Sequence, residues 1–209
     1  MIAATEALEI LREGNRRFAS GSTDRDRGFG LDLRATLLEG QEPFAVILGC
    51  SDSRVPTEIV FDRGPGDLFV IRVAGNIVAP SLIGSVEFAA EAFGTPLVVV
   101  LGHSECGAVI STVEQLEQPK GTRSPNLMSI VDRIRPSVVG LLDTELRHDH
   151  AALVAQAVRA NVRASVDQLR HGSAILEGLI ADDRLLVVGA EYSLQSKEVD
   201  FFEGIPDAD

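Results

Sequence analysis

Tryptophan is absent from this sequence, tyrosine occurs once, and cysteine occurs only twice in 209 residues. Both thiols fall inside short polar motifs, so packing does not account for them. Long apolar runs are missing too. None reaches the 18 or so residues that a membrane-spanning helix needs, and runs such as Leu97–Leu101 and Leu185–Val188 are strand-sized. Positive charge is scarce: 19 Lys and Arg stand against 31 Asp and Glu, a net charge of −12. That balance argues against nucleic acid or an anionic membrane as a partner, since both require a basic surface. The acidic excess serves solubility. The opening segment, MIAATEALEILREGNRRF, reads as an amphipathic helix; it lacks the basic start, apolar centre and small-residue cleavage site of a secretory signal. A cytoplasmic location is therefore expected, and a reducing compartment would keep both thiols available for metal. The chain is 45% apolar, enough for a proper core, and residues 1–209 are expected to form one domain.

The two cysteines lie in Cys50-Ser51-Asp52-Ser53-Arg54 and His103-Ser104-Glu105-Cys106. Each motif directly follows an apolar run of strand character, Phe44–Leu48 and Leu97–Leu101 respectively. Further strands are expected at Leu68–Val73 and Leu185–Val188, and the tail Glu191–Phe202 alternates enough for a last strand or hairpin at the sheet edge. Helical periodicity runs from about Leu82 to Phe93, from Leu127 to Leu146 and from His150 to Leu169, with Pro136 expected to kink or split the second. Gly21–Gly30 and Gln118–Pro125 read as surface loops, and Gly64-Pro65-Gly66-Asp67 as a tight turn.

Strands alternating with helices imply right-handed crossovers and an α/β fold. We expect a mainly parallel four-stranded sheet with an antiparallel edge strand, flanked by helices. The N-terminal helix, with no obvious partner in its own chain, is expected to pack on a second subunit. Ligands of such sheets bind beyond the carboxyl ends of the strands. If the first and third strands are neighbours, both motifs converge there.

Two thiolates, one imidazole and one carboxylate form a ligand set that suits Zn²⁺ better than other common metals. Cys50, His103 and Cys106 alone would leave a fourth position open, the arrangement of a catalytic site. Asp52 as the fourth ligand would close it. Arg54 bears on the choice, because a guanidinium can hold the carboxylate off the metal through a bidentate pair and keep it an acceptor. Zinc lowers the pKa of a bound water to about 7, and Asp52 accepting a hydrogen bond would orient the resulting hydroxide.

CSDSRVP, GDLFVIRVAGN, SVEFAAEAFG, LVVVLGHSECGAV and VVGAEYSL, in this order between Gln41 and Asp200, closely resemble the beta-class carbonic anhydrases. The resemblance implies reversible hydration of CO₂ to bicarbonate and a proton, one Zn²⁺ per chain on Cys50, His103 and Cys106, and a homodimer or homotetramer. It makes Asp52 and Arg54 the dyad that alternates between metal-bound and metal-released states, with Asp52 a ligand in the former. It assigns Gln41 a substrate hydrogen bond and Gly107 a backbone N–H. Phe69, Ala74 and Phe88 line the small apolar substrate pocket, partly across the subunit interface.

Two departures stand out. Phe88 occupies a position where many relatives have Tyr, so a hydroxyl contact is lost. Some bacterial relatives close the site through a bicarbonate pocket of Trp, Arg and Tyr. Arg72 and Tyr192 match that pocket, but Ile47 stands at the Trp position, so bicarbonate inhibition through it is expected to be weak or absent.

Three other readings remain. The same scaffold can hydrolyse carbonyl sulfide or carbon disulfide, a choice set by access to the site. A structural zinc module would engage all four ligands permanently, against which Arg54 speaks. A redox dithiol is disfavoured by the wide spacing of the cysteines. His148, His150 and His171 read as solvated surface histidines, although an imidazole could relay the released proton; Glu105 is given no role.

Overall fold

A computed structural model of the chain describes residues 2–23, 38, 40–118 and 124–206. The strands form where apolar residues run without interruption, because each is covered on both faces. β1 (Ala45–Cys50) and β3 (Leu97–His103) are buried at every position. With β2 (Leu68–Val73), β4 (Leu186–Tyr192) and β5 (Val199–Glu203) they make one sheet in the order β2-β1-β3-β4-β5. The first four strands are parallel and β5 is antiparallel to β4, with a register shift at Gly189/Ala190. This is the expected architecture. β1 and β3 are direct neighbours, Ile47 opposite Val99 and Gly49 opposite Leu101, so the two ligand motifs leave the sheet side by side.

Side chains alternate between the two faces of the sheet. Ile47, Val99 and Leu101 face α1 (Ala4–Ser20), which contributes Ala7, Leu8 and Leu11 to that layer. Val46, Leu48, Val98 and Val100 face α3 (Pro80–Ala92) and α6 (His150–His171) through Val86, Ala89, Val162 and Val166. A third apolar cluster sits beyond the strand ends. There α4 (Gly107–Glu117) and α5 (Pro125–Leu142) pack Val109, Val113, Ile134 and Val138 around Cys50 and Cys106. Two further short helices are α2 (Thr57–Val60) and α7 (Ala174–Ala181). Among the described residues no helix is long and apolar enough to cross a membrane.

One expectation is corrected and another is completed. α1 has a partner within its own chain: Ala7 and Leu11 are fully buried there. Asn15 donates to the carbonyls of Val60 and Lys197 and accepts from the Val199 amide, and Arg17 pairs with Asp62 at 2.5 Å. Pro136 does not split its helix, since α5 is continuous through it; a single missing N–H is tolerated where Ile134 and Val138 hold the helix to the core. The turn at Gly64–Asp67 forms as expected, the Asp67 carboxylate accepting from the Gly64 amide at 3.1 Å. The predicted loops at Gly21–Gly30 and Gln118–Pro125 fall largely outside the described residues, except that Ser124 caps α5 and Pro125 begins it.

Candidate metal centre

Cys50 is the last residue of β1, and His103 the last of β3. Cys106 follows a tight turn in which Glu105 takes a left-handed φ of 56°. It caps α4, where the backbone N–H groups of Val109 and Ala108 favour its thiolate form. The two sulfurs lie 4.0 Å apart. The donor atoms of Cys50, His103 and Cys106 all fall within 4.8 Å of one another, and all three residues are buried. Among the described residues this is the one group of three or more His, Cys, Asp or Glu so disposed.

The imidazole tests whether the trio fits a metal. Its Nδ1 lies 2.8 Å from the Ser104 carbonyl oxygen, which can only accept, so Nδ1 carries the proton. Nε2 therefore offers a lone pair. It is buried without a hydrogen-bond partner and faces the two sulfurs, as a metal-ligating histidine with its other nitrogen tied to a carbonyl does. Two thiols and a bare imidazole nitrogen at this spacing are the donor chemistry of zinc.

Without a metal the trio competes for protons. The contact with Cys106 leads the effects that hold Cys50 well below the usual thiol range, aided by His103 and the Gly75 amide and opposed by burial. Cys106 is pushed up by the same contact and by burial. At His103, burial works toward a lower pKa, but Cys50, the Ser104 carbonyl and the Asp52 charge outweigh it and raise the net value. A divalent ion entering the site would displace these protons.

Asp52 stands beside the trio rather than in it. Arg54 grips both its oxygens, Nε to Oδ1 at 2.9 Å and Nη2 to Oδ2 at 2.7 Å, and the Arg54 backbone amide adds a third bond to Oδ1 at 2.9 Å. The guanidinium, first through these hydrogen bonds, holds the carboxyl far below the ordinary carboxylate range. Oδ2 remains 3.8 Å from His103 Nε2. Arg54 also donates to the Glu105 carbonyl at 3.1 Å, linking the two motifs. Glu105 thus takes part through its backbone.

The other predicted site residues divide into two groups. Ala74 follows β2 beside Cys50 in the turn Ala74–Asn76, and Gly107 is the first residue of α4, next to Cys106. Gln41, Phe69 and Phe88 lie elsewhere. Phe69 pairs with Val46 and Val73 with Cys50, so Phe69 is four residues back along β2, about 13 Å from the ligand end. It clusters there with Phe88 and Phe93, ring centroids 5.4 to 6.2 Å apart. Phe88 is 55% exposed. Gln41 precedes β1 and lines a hollow with Ile2, Phe44 and Phe93. The fold does not bring these three to the metal end of their own chain.

Two contacts at the ligands were not read from the sequence, one from Arg72 and one from Gly75. Arg72, named above only for the bicarbonate pocket, donates to the carbonyls of Cys50 (2.9 Å) and Asp52 (2.5 Å), clamping the loop between ligand and dyad. Tyr192 is buried on β4 beside Phe18, and Ile47 is fully buried in the same layer. The Gly75 amide donates to the Cys50 sulfur at 3.3 Å. The glycine after the strand was the available signal: Gly75 has a φ of 73°, and a Cβ there would meet Ile134 Cδ1 at 2.7 Å.

Comparison with known proteins agrees with this geometry. The family model described as carbonic anhydrase matches residues 45–199. Carbonic anhydrase 2 of Mycobacterium tuberculosis is 39% identical over 189 residues, covering 90% of this chain and 87% of the relative. A carbonic anhydrase of Mycolicibacterium smegmatis is 38% identical over 195 residues, covering 93% and 91%. Among solved structures, the beta-carbonic anhydrase CcaA superposes with a TM-score of 0.74 at 26% identity, over 98% of this chain and 91% of that one.

Proposed function

This chain belongs to the beta-class carbonic anhydrases, and from that premise we propose that Cys50, His103 and Cys106 hold one Zn²⁺ per chain and that the site hydrates CO₂ to bicarbonate and a proton. The observation that carries the reading is the orphaned, buried His103 Nε2 facing two cysteine sulfurs beside a carboxylate held off by arginine. Zinc, when bound, supplies the Lewis acidity that brings the pKa of a coordinated water to about 7.

The chain's own residues do the rest. Arg54 keeps Asp52 ionised and turned aside from the three donor atoms, so that a metal held by them would still accept water. Asp52 then accepts a hydrogen bond from the reacting water and fixes the direction of its lone pair. A carboxylate released from Arg54 would instead take the place of that water and close the site. Gly107, at the start of α4, offers an amide N–H free of helical bonding to the charge that develops on the substrate oxygen. Ala74 gives the substrate an apolar wall.

Gln41, Phe69 and Phe88 act across a subunit interface in this reading. Phe69 and Phe88 cluster with Phe93, which also lines the hollow beside Gln41; Phe88 is exposed, and β2 is an edge strand of the sheet. A second copy docked there would bring one chain's aromatic cluster and glutamine toward the other's metal end, so the working unit is a homodimer or a homotetramer. Tetramers occur on this fold, as in a tetrameric beta-carbonic anhydrase of Sordaria macrospora that is 22% identical to this chain. We read residues 1–209 as one domain acting in the cytoplasm.

Asp52→Asn tests the mechanism. The variant should keep its zinc, measured by elemental analysis, and lose turnover by about 100-fold or more in stopped-flow CO₂ hydration. Full activity would remove Asp52 from the reaction.

A further inference from the structure

A second polar layer lies behind the ligands. The inner face of α6 is apolar at Val158, Val162, Val166 and Leu169, yet it also buries Asn161 and Ser165, at 2% and 4% exposure. These two are one helical turn apart and so share a face. Buried polar side chains on such a face are costly unless paired, and both are paired to the same short turn. Asn161 Nδ2 donates to the Gly75 carbonyl at 2.8 Å, and Ser165 Oγ donates to the Asn76 carbonyl at 3.0 Å. Gly75 and Asn76 both have left-handed φ, 73° and 41°. Glycine takes this region freely, whereas Asn76 is held in it by its surroundings. The amide of Gly75 points the other way, to the Cys50 sulfur.

We infer that Asn161, supported by Ser165, is a positioning residue for the metal: by pinning the carbonyls of the 75–76 turn it aims the Gly75 N–H at the Cys50 thiolate and so sets that sulfur's strength as a ligand. The inference rests on the reading of Cys50 as a zinc ligand. An N–H bonded to a ligating sulfur takes up part of its charge and fixes the direction in which its remaining lone pairs point. Partners one step removed from the metal commonly govern affinity by 10- to 100-fold. Ile134 and Ala108 crowd Gly75 on its α-carbon side, which leaves α6 as the polar support of this turn among the contacts described.

The test compares wild-type protein with Asn161→Leu, which keeps the side-chain bulk and removes the donor. Zinc affinity is read by competition with a chromophoric chelator, and the thiolate by the sulfur-to-cobalt absorption of the Co²⁺-substituted protein. Asn161→Leu should bind zinc about tenfold more weakly, and its band should move to longer wavelength as the sulfur becomes richer in electrons. Val166→Ala, on the same helix and away from the turn, should lower the melting temperature and leave both readouts at wild-type values. Wild-type affinity and band position in Asn161→Leu would overturn the inference, whatever happens to its melting point. If that variant does not fold, Ser165→Ala carries the same comparison: a smaller shift in the same direction supports the inference, and unchanged values overturn it. A wild-type chain that takes up neither metal would instead bring down the zinc reading and this inference together.

Discussion

Arg54 makes four hydrogen bonds around one turn of chain, and no other side chain could replace them all. Its backbone N–H and forked guanidinium hold both oxygens of Asp52, and the same guanidinium reaches the Glu105 carbonyl. Lysine carries equal charge but a single donor point, so it cannot span both carboxylate oxygens. Arg54→Lys should therefore retain zinc while hydration falls about 10- to 100-fold, because Asp52, whose Oδ2 already lies 3.8 Å from His103 Nε2, is freed to swing toward the ligand trio. Spectra of the Co²⁺-substituted variant would report the extra ligand directly; an unchanged spectrum with unchanged turnover would rule the fork out. The ligand types were legible in the sequence, since two lone cysteines, a histidine and an Asp-Arg pair at strand ends have few other uses. The Gly75 amide and Asn161 were not. Their link spans 86 positions, and a buried asparagine on a helix does not announce which carbonyl it serves.

At the scale of elements, α1 shows what periodicity can and cannot tell. Its apolar stripe was plain, but a stripe identifies a face to be covered and not the surface that covers it. The deciding contacts are polar and close. Asn15 ties the helix to α2 and to the β4–β5 hairpin, and Gly14 lies so near the Phe61 carbonyl that an added Cβ would run into it. The obstacle is backbone, which cannot rotate aside. Gly14→Ala should cost about 3 kcal/mol, read as a lowered denaturant midpoint with an unchanged slope. Stability equal to wild type would mean the helix is held loosely. Pro136 teaches the converse: a helix already fixed by buried Ile134 and Val138 continues past a residue that would end an isolated one.

For the whole molecule, strand content and direction could be read from apolar runs and the helices between them, whereas strand order could not. That β2 lies outside β1 is decided by which crossover packs where, a matter of contacts distant in sequence. This order also separates Gln41, Phe69 and Phe88 from the metal end of their own chain. If a second copy covers them, Phe88→Glu should leave each chain folded, shift the mass in sedimentation toward the monomer and reduce turnover with it. A variant that keeps both the assembly and the activity would show that the exposed ring faces solvent in the working protein.

One consequence of the ligand arrangement concerns endurance rather than chemistry. The donors come from the ends of two adjacent central strands and the start of the helix that follows, with the sulfurs 56 positions apart in the chain, so an ion gripped there would rivet those strand ends together. Free zinc at a hundred times its dissociation constant would add about 2.7 kcal/mol to the folded state by mass action. Chelation should then lower the melting temperature and quicken hydrogen exchange at β1 and β3 well before the outlying β5. Heat tolerance, in such a molecule, becomes a gauge of how well its surroundings are supplied with metal.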